Sequence, residues 1–98
     1  MKNVYLSGPM TGLDGFNRPA FDEAEAKVRE AGATFVFNPA RACVVRGWSW
    51  AECMAFDLRT LLLGGWDSLA LLPGWESSAG CRIERAVADE MGLEVVAL

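Results

Sequence analysis

Histidine is absent from this chain of 98 residues. Its absence excludes Ser-His-Asp and Cys-His catalytic arrangements, proton transfer by imidazole and nearly all zinc sites. Any catalysis must therefore use carboxylates, hydroxyls, thiols or backbone amides. Cysteine is scarce as well: the three cysteines are odd in number and show no CxxC spacing. This favours reduced, mostly buried thiols, and we expect neither a metal nor a cofactor.

Positive charge and long apolar runs are also scarce. Nine Lys and Arg face thirteen Asp and Glu, a net charge of −4, which argues against a nucleic acid polymer as partner. A small anionic ligand remains possible at a helix N-terminus. No apolar run reaches the ~20 residues of a membrane span. The first residues lack the apolar stretch of a signal peptide, so we expect no membrane partner and a cytoplasmic location.

The content of apolar residues, 52%, predicts one folded domain over residues 1–98. Alternating segments predict strands at 2–7, 33–38, 66–73 and 93–98, and helices at 19–31, 49–63 and 80–91, with Ser49 as an N-cap. We interpret residues 40–48 as a loop with a short turn. The predicted fold is α/β: a small doubly wound, flavodoxin-like or Rossmann-like parallel sheet in strand order 2-1-3-4, with helices on both faces.

Ligands in such sheets bind outside the C-terminal ends of the strands, at the point where the strand order reverses. The ends of the first and third strands, at residues 7–9 and 73–75, should therefore face each other. A glycine-rich loop, "GPMTGLDGFNRP", follows the first strand, and "PGWESSAG" follows the third. The predicted substrate-binding residues lie at the end of the first strand and in these two loops: Ser7, Gly8, Pro9, Gly12, Asn17, Trp75 and Gly80.

Two carboxylates stand at unusual positions. Asp57 lies within the apolar face that Trp50, Met54 and Leu61 form, where a charge costs several kcal/mol unless it is compensated. It is either a buried residue that caps a loop or pairs with an arginine, or an acid with a raised pKa. Glu84 lies near the start of the third helix, which favours its ionised form. It is either a solvated residue or the nucleophile of a carboxylate pair.

Two hydroxyl groups complete the candidate site. Tyr5 is the only tyrosine; it is either a core residue or a phenol directed into the cleft. Ser78 is either an ordinary N-cap or a ligand contact. Trp75, on a site loop, can stack on a planar base, whereas Trp48 and Trp50 are interpreted as structural.

Several motifs together resemble the nucleoside 2-deoxyribosyltransferase-like superfamily, above all its short phage and bacterial members labelled DUF4406. They are "YLSGPMTG", "FNRPAFDEA", "NPA", "LALLPGWESSAG" and "RIE", and the resemblance covers roughly residues 4–96. It implies cleavage of N-glycosidic bonds of nucleosides or nucleotides through a covalent glycosyl-enzyme. By resemblance, Glu84 is the nucleophile, Asp57 helps to protonate the departing base, Ser78 holds the sugar hydroxyls and Tyr5 orients Glu84.

The chain departs from relatives that hydrolyse nucleotides, because its loop Ser-Gly-Pro-Met-Thr-Gly contains no arginine. The leading prediction is an N-glycosidase or deoxyribosyltransferase acting on a small nucleoside or nucleotide. The alternatives are a nucleotide-sensing module of the same fold and a structural or partner-binding protein. We also expect a homodimer or higher homo-oligomer, since a sheet edge and apolar helix faces need cover.

Overall fold

The structure, a computed structural model, describes residues 2–98, with side chains at all of these except positions 14 and 43–46. Four parallel strands form one sheet in the order β2-β1-β3-β4, which confirms the predicted α/β fold and strand order. The elements are β1 (Asn3–Ser7), α1 (Arg18–Glu30), β2 (Phe35–Phe37), α2 (Pro39–Arg46), α3 (Trp50–Leu63), β3 (Ser68–Leu71), α4 (Ala79–Met91) and β4 (Glu94–Ala97).

Strand β1 lies inside the sheet, between β2 and β3, and separates two hydrophobic cores. Because side chains alternate along a strand, Val4 and Leu6 point to one face and Tyr5 and Ser7 to the other. Val4 and Leu6 pack with Phe21, Ala24 and Val28 of α1 and Ala40 of α2. Tyr5 packs with Leu61 of α3 and Ala88 of α4. Helices therefore cover both faces of the sheet.

Helix α2 corrects the interpretation of residues 40–48 as a loop. Asn38 and Pro39 end strand β2, but they also begin a helix: the Asn38 side chain accepts a hydrogen bond from the Ala40 amide at 3.2 Å, and Pro39 takes the first helical position. The Asn38 amide group also donates to Asp22 and Glu25 of α1. The helix thus depends on tertiary contacts with α1. Cys43 lies outside the described side chains.

Helix α3 begins as predicted. The Ser49 hydroxyl accepts from the Glu52 amide at 3.2 Å, and the Glu52 carboxylate accepts from the Ser49 amide at 3.0 Å, a reciprocal capping box. This cap sets where α3 starts and so which of its residues face the sheet. Among the helices that the structure describes, none has the length and apolar character needed to cross a bilayer.

Some large apolar side chains remain exposed on the single chain. Leu63 at the end of α3 is 74% exposed, and Phe35 on the edge strand β2 is 66% exposed. Self-association would cover such side chains, and the homo-oligomer stays a prediction.

Candidate active site

A cavity of about 240 Å³ lies beyond the C-terminal ends of β1 and β3, where the order of the strands reverses. Its walls come from the loop after β1, from α2 and α3, and from the first turns of α4. Asp57, Ser78 and Glu84 all line it. The cavity therefore lies where the sequence predicts a ligand site, at the reversal of the strand order.

Glu84 is the best-defined group of the cavity. Its side chain is buried, with only 5% of its surface exposed, and both carboxyl oxygens are held. The Ser7 hydroxyl donates to Oε1 at 2.7 Å, and the Tyr5 hydroxyl donates to Oε2. The alternation along β1 places these two hydroxyls on the same face of the sheet, and the first turns of α4 bring the carboxyl group to them. The expectation of a solvated glutamate is thereby excluded.

The protonation state of Glu84 differs from the sequence-based expectation. Burial raises the pKa of the Glu84 carboxyl to about 7. The hydrogen bonds from Tyr5 and Ser7 act in the opposite direction, and the nearby Asp57 charge adds to the rise. The helix N-terminus favours the ionised form, but the loss of hydration opposes it, so the protonated and ionised forms have similar populations near pH 7.

Asp57 is also buried, with 6% of its surface exposed. Its position on α3 follows from the apolar face that carries it, since Met54 and Leu61 on the same face are buried against the sheet and α4. The Tyr5 hydroxyl lies 3.1 Å from the Asp57 carbonyl oxygen. Tyr5 therefore contacts α3 through this carbonyl and α4 through Glu84.

Ser78 has the capping role that the sequence left open, and its contact with a ligand stays a prediction. It is the N-cap of α4, where its hydroxyl accepts from the Cys81 amide at 3.3 Å, and it also lines the cavity. Gly8 and Gly80 line the cavity as well. A Cβ at Gly8 would lie 2.7 Å from the Cβ of Leu72, and one at Gly80 would lie 3.0 Å from Met54 Sδ. These glycines allow the loops to approach the neighbouring elements closely.

Several predicted binding residues lie elsewhere. Ser7 is fully buried and contacts Glu84 rather than lining the cavity. Pro9 lines a neighbouring depression, and Asn17 donates to the Pro9 carbonyl at 3.0 Å, so it braces the loop. Trp75 does not line the cavity: it packs in the core that includes Tyr5, with the Arg85 guanidinium 5.0 Å from its ring centroid. Of the loop residues predicted to bind a ligand, Gly8, Gly12 and Gly80 do line the cavity.

The aromatic wall of the cavity was missed. Trp48 and Trp50, interpreted from the sequence as structural, line it together with Phe16 and Met54. A signal was available for Trp50, because Trp50, Met54 and Asp57 are spaced by four and three residues and so share one face of α3. Trp48 had no such signal, since it precedes the helix.

The described side chains give the cavity an acidic and apolar character. None of those that line it carries a positive charge; Asp57 and Glu84 are acidic. Burial raises the pKa of the Cys81 thiol, so this cysteine is a neutral wall residue rather than a nucleophile. Among the described residues, no cluster of three or more cysteine and acidic side chains is placed to hold a metal ion.

The comparisons with known proteins name a family but no activity. A family model described as "Domain of unknown function (DUF4406)" matches residues 2–97. A search of curated proteins finds no match.

Proposed function

Since the chain belongs to the DUF4406 family, whose description assigns no activity, we propose that it cleaves the N-glycosidic bond of nucleosides or nucleotides, as the resemblance to the nucleoside 2-deoxyribosyltransferase-like superfamily implies. The observation that carries the proposal is the geometry around Glu84. Its carboxyl group lies at the wall of a ligand-sized cavity with one oxygen held by Tyr5 and the other by Ser7. Such a fixed carboxylate, beside a second buried acid, suits displacement at a sugar carbon.

The proposed reaction has two steps. In the first, ionised Glu84 attacks C1′ of the sugar, a bond forms between its oxygen and C1′, and the bond from C1′ to the base breaks. The electron pair of that bond goes to the base nitrogen. In this reactive form the single proton shared by the two acids lies on Asp57 rather than on Glu84, and Asp57 supplies it to the departing base. In the second step, water or a second nucleobase attacks C1′ and gives its proton to Asp57. The bond between C1′ and the Glu84 oxygen breaks, and Glu84 leaves as a carboxylate. Water as the attacking group makes the protein an N-glycosidase, and a second base makes it a transferase.

The cavity lining supports a division of the ligand into two parts. The sugar would lie at the end formed by Glu84, Asp57 and Ser78, whose oxygen atoms can bind hydroxyl groups. The base would lie against Trp48 and Trp50, because flat aromatic rings stack well on the face of a planar heterocycle. With two acidic residues and no cation among the described lining side chains, an uncharged nucleoside suits the site better than a nucleoside monophosphate.

The alternative is a module that binds a nucleoside without cleaving it. One observation favours it: with a pKa of about 7, a large share of Glu84 is protonated at neutral pH, and a protonated carboxyl group is not a nucleophile. Binding requires only the cavity, whereas cleavage also requires Glu84 to ionise when the substrate is bound.

The test incubates the protein with each common nucleoside and deoxynucleoside, and separately with their 5′-monophosphates, with and without a second free base. Chromatography for released or exchanged bases should show product from at least one nucleoside. Glu84→Gln is the matched control, because it keeps the shape of the side chain but cannot form a glycosyl ester. If wild-type protein binds nucleosides by calorimetry yet releases no base between pH 6 and 9, the sensing module is the correct reading. If it neither binds nor cleaves them, both readings are wrong.

A further inference from the structure

The Tyr5 hydroxyl has one hydrogen atom and lies within reach of two acceptors. One is the Asp57 carbonyl oxygen at 3.1 Å, and the other is Oε2 of Glu84. A single phenolic hydrogen is directed to only one of them at a time. The Ser7 hydroxyl donates to the remaining Glu84 oxygen, Oε1, at 2.7 Å. The network therefore has two possible hydrogen arrangements with the same positions of the heavier atoms.

In the first arrangement Glu84 is protonated on Oε2. Its own O–H then donates to the Tyr5 oxygen, the Tyr5 O–H donates to the Asp57 carbonyl, and Ser7 donates to the carbonyl-like Oε1. In the second arrangement Glu84 is ionised, and the Tyr5 hydrogen turns from Asp57 to Glu84. Ser7 donates to Glu84 in both arrangements, but its bond is stronger to the charged form.

We propose that Tyr5 and Ser7 are positioning residues with separate tasks: the Tyr5 hydrogen changes acceptor between Asp57 and Glu84 as Glu84 loses its proton, and Ser7 stabilises the ionised form. The neutral and ionised forms of Glu84 then differ only in the positions of hydrogen atoms, so ionisation needs no movement of the protein backbone. This holds equally for an enzyme and for a binding module, so it goes beyond the proposed function and does not depend on turnover.

The surroundings of Glu84 favour the neutral form at rest. The titratable groups beside it are Tyr5 from β1, Asp57 from α3 and Cys81 on its own helix. Cys53 of α3 lines the same cavity. The described side chains that line the cavity beside it include no lysine or arginine. Burial raises the pKa of Glu84 to about 7, so the two arrangements interconvert near neutral pH rather than in acid.

Tyr5 is well suited to report this change, because it is the only tyrosine in the chain. Tyrosine labelled with ¹³C at Cζ should give one NMR signal whose shift depends on the hydrogen bonding of the hydroxyl group. Across pH 5 to 9 the wild-type signal should move in one step with its midpoint near pH 7. Glu84→Gln should abolish the step. If the signal stays constant, or moves in the same way in Glu84→Gln, the proposal is wrong.

The Ser7 part is tested by three variants on the same signal. Ser7→Ala removes a donor whose hydrogen bond is roughly twice as strong to the charged carboxylate as to the neutral acid, so its midpoint should rise by about one pH unit. Ser7→Thr keeps the hydroxyl and should keep the wild-type midpoint. Ser77→Ala is the matched control, since the exposed Ser77 hydroxyl donates to the Gly74 carbonyl and does not contact Glu84.

An unchanged midpoint in Ser7→Ala overturns the assignment of Ser7, because a serine with a purely structural role would alter stability without moving the titration. Should Ser7→Ala fail to fold, Ser7→Cys replaces it in the test. Cysteine has a similar volume to serine, but its thiol is a weaker hydrogen-bond donor, so the Ser7→Cys midpoint should lie above that of wild type. A wild-type midpoint in Ser7→Cys overturns the assignment as well.

Discussion

The two faces of the central sheet are buried to a similar extent but are built from different chemistry. On the α1 and α2 face, Val4 and Leu6 of β1 pack with apolar side chains in the core around Phe21. On the α3 and α4 face, Tyr5 and Ser7 of the same strand meet the carboxyl group of Glu84. A shift of one residue in the register of β1 would exchange the two sets.

The difference shows how a small domain separates stability from chemistry. The apolar face gains its free energy from burial alone, about 25 cal/mol per Å² of apolar surface. On the polar face, burial of the carboxyl groups costs hydration free energy, and hydrogen bonds to these groups offset the cost. Among the described residues, no buried side-chain nitrogen or oxygen lacks a hydrogen-bond partner. Substitutions on the polar face should therefore mainly lower activity, and substitutions on the apolar face should mainly lower stability.

The largest expected effect is on the polar face. For a nucleoside that the wild-type protein cleaves, Glu84→Gln should lower turnover by at least about 10³-fold, because the amide cannot form the covalent intermediate. Ligand binding should persist, since the aromatic wall and Ser78 remain. Single-turnover kinetics and calorimetry on the same preparation measure both quantities. Turnover at the wild-type rate would remove Glu84 from the role of nucleophile.

Asp57→Asn tests whether Asp57 has a role on the polar face that is separate from that of Glu84. Loss of a general acid costs about 10²–10⁴-fold in rate, and this loss should shrink for a substrate whose base leaves easily without protonation. Rates for one ordinary nucleoside and one with an activated leaving group give the comparison. An equal loss for both substrates would show that Asp57 does not act as the acid.

On the apolar face, Phe21→Ala should lower the free energy of unfolding by about 3–5 kcal/mol, because it leaves a cavity under α1 where Phe21 is fully buried. Turnover per folded molecule should stay close to that of wild type. Denaturant unfolding measures the first quantity and turnover at low temperature the second. A selective loss of activity with unchanged stability would contradict the separation of the two faces.

The stability of the polar face should depend on pH. The Glu84 pKa lies at about 7 in the folded protein against an ordinary value of 4.5, so the folded state binds more protons than the unfolded state between these values. The free energy of unfolding contributed by Glu84 therefore falls as pH rises from about 4.5 to above 7, by roughly 3 kcal/mol in total. Thermal unfolding at pH 5 and pH 8 should show a steeper fall for wild type than for Glu84→Gln. Parallel pH profiles would show that Glu84 is not buried as a neutral acid.

The smallest expected effect concerns the contact between α1 and α2. Asn38→Ala removes the cap of α2 and the hydrogen bonds to Asp22 and Glu25, and should cost about 1–2 kcal/mol. Asn38→Asp is the matched comparison: it keeps an acceptor for the Ala40 amide but places a third carboxylate beside the other two. If both variants are as stable as wild type by denaturant unfolding, α2 does not depend on this residue.

The fold was largely predictable because its signals are local. Apolar strands separated by helical periods imply a covered parallel sheet, and Ser49 with Glu52 three residues later marks the start of α3. The same periodicity placed Asp57 on an apolar face. Helix α2 was missed because Asn38 and Pro39, a local signal for the start of a helix, were interpreted only as the end of strand β2. The contacts of Asn38 with α1 lie 13 and 16 residues back in the chain and give no local signal.

The sequence by itself determined the strand order, the position of the cleft and the residue types available for chemistry, since these follow from periodicity, composition and the ends of the strands. Only the tertiary structure decided the environment of Glu84. A helix N-terminus favours an ionised carboxyl group, but the packing of α4 against β1 and α3 removes water from it and raises its pKa. Packing likewise directed Ser7 to Glu84 and placed Trp48 and Trp50, rather than Trp75, at the cavity. Hydration and side-chain direction depend on neighbours distant in the chain, and local sequence carries little information about them.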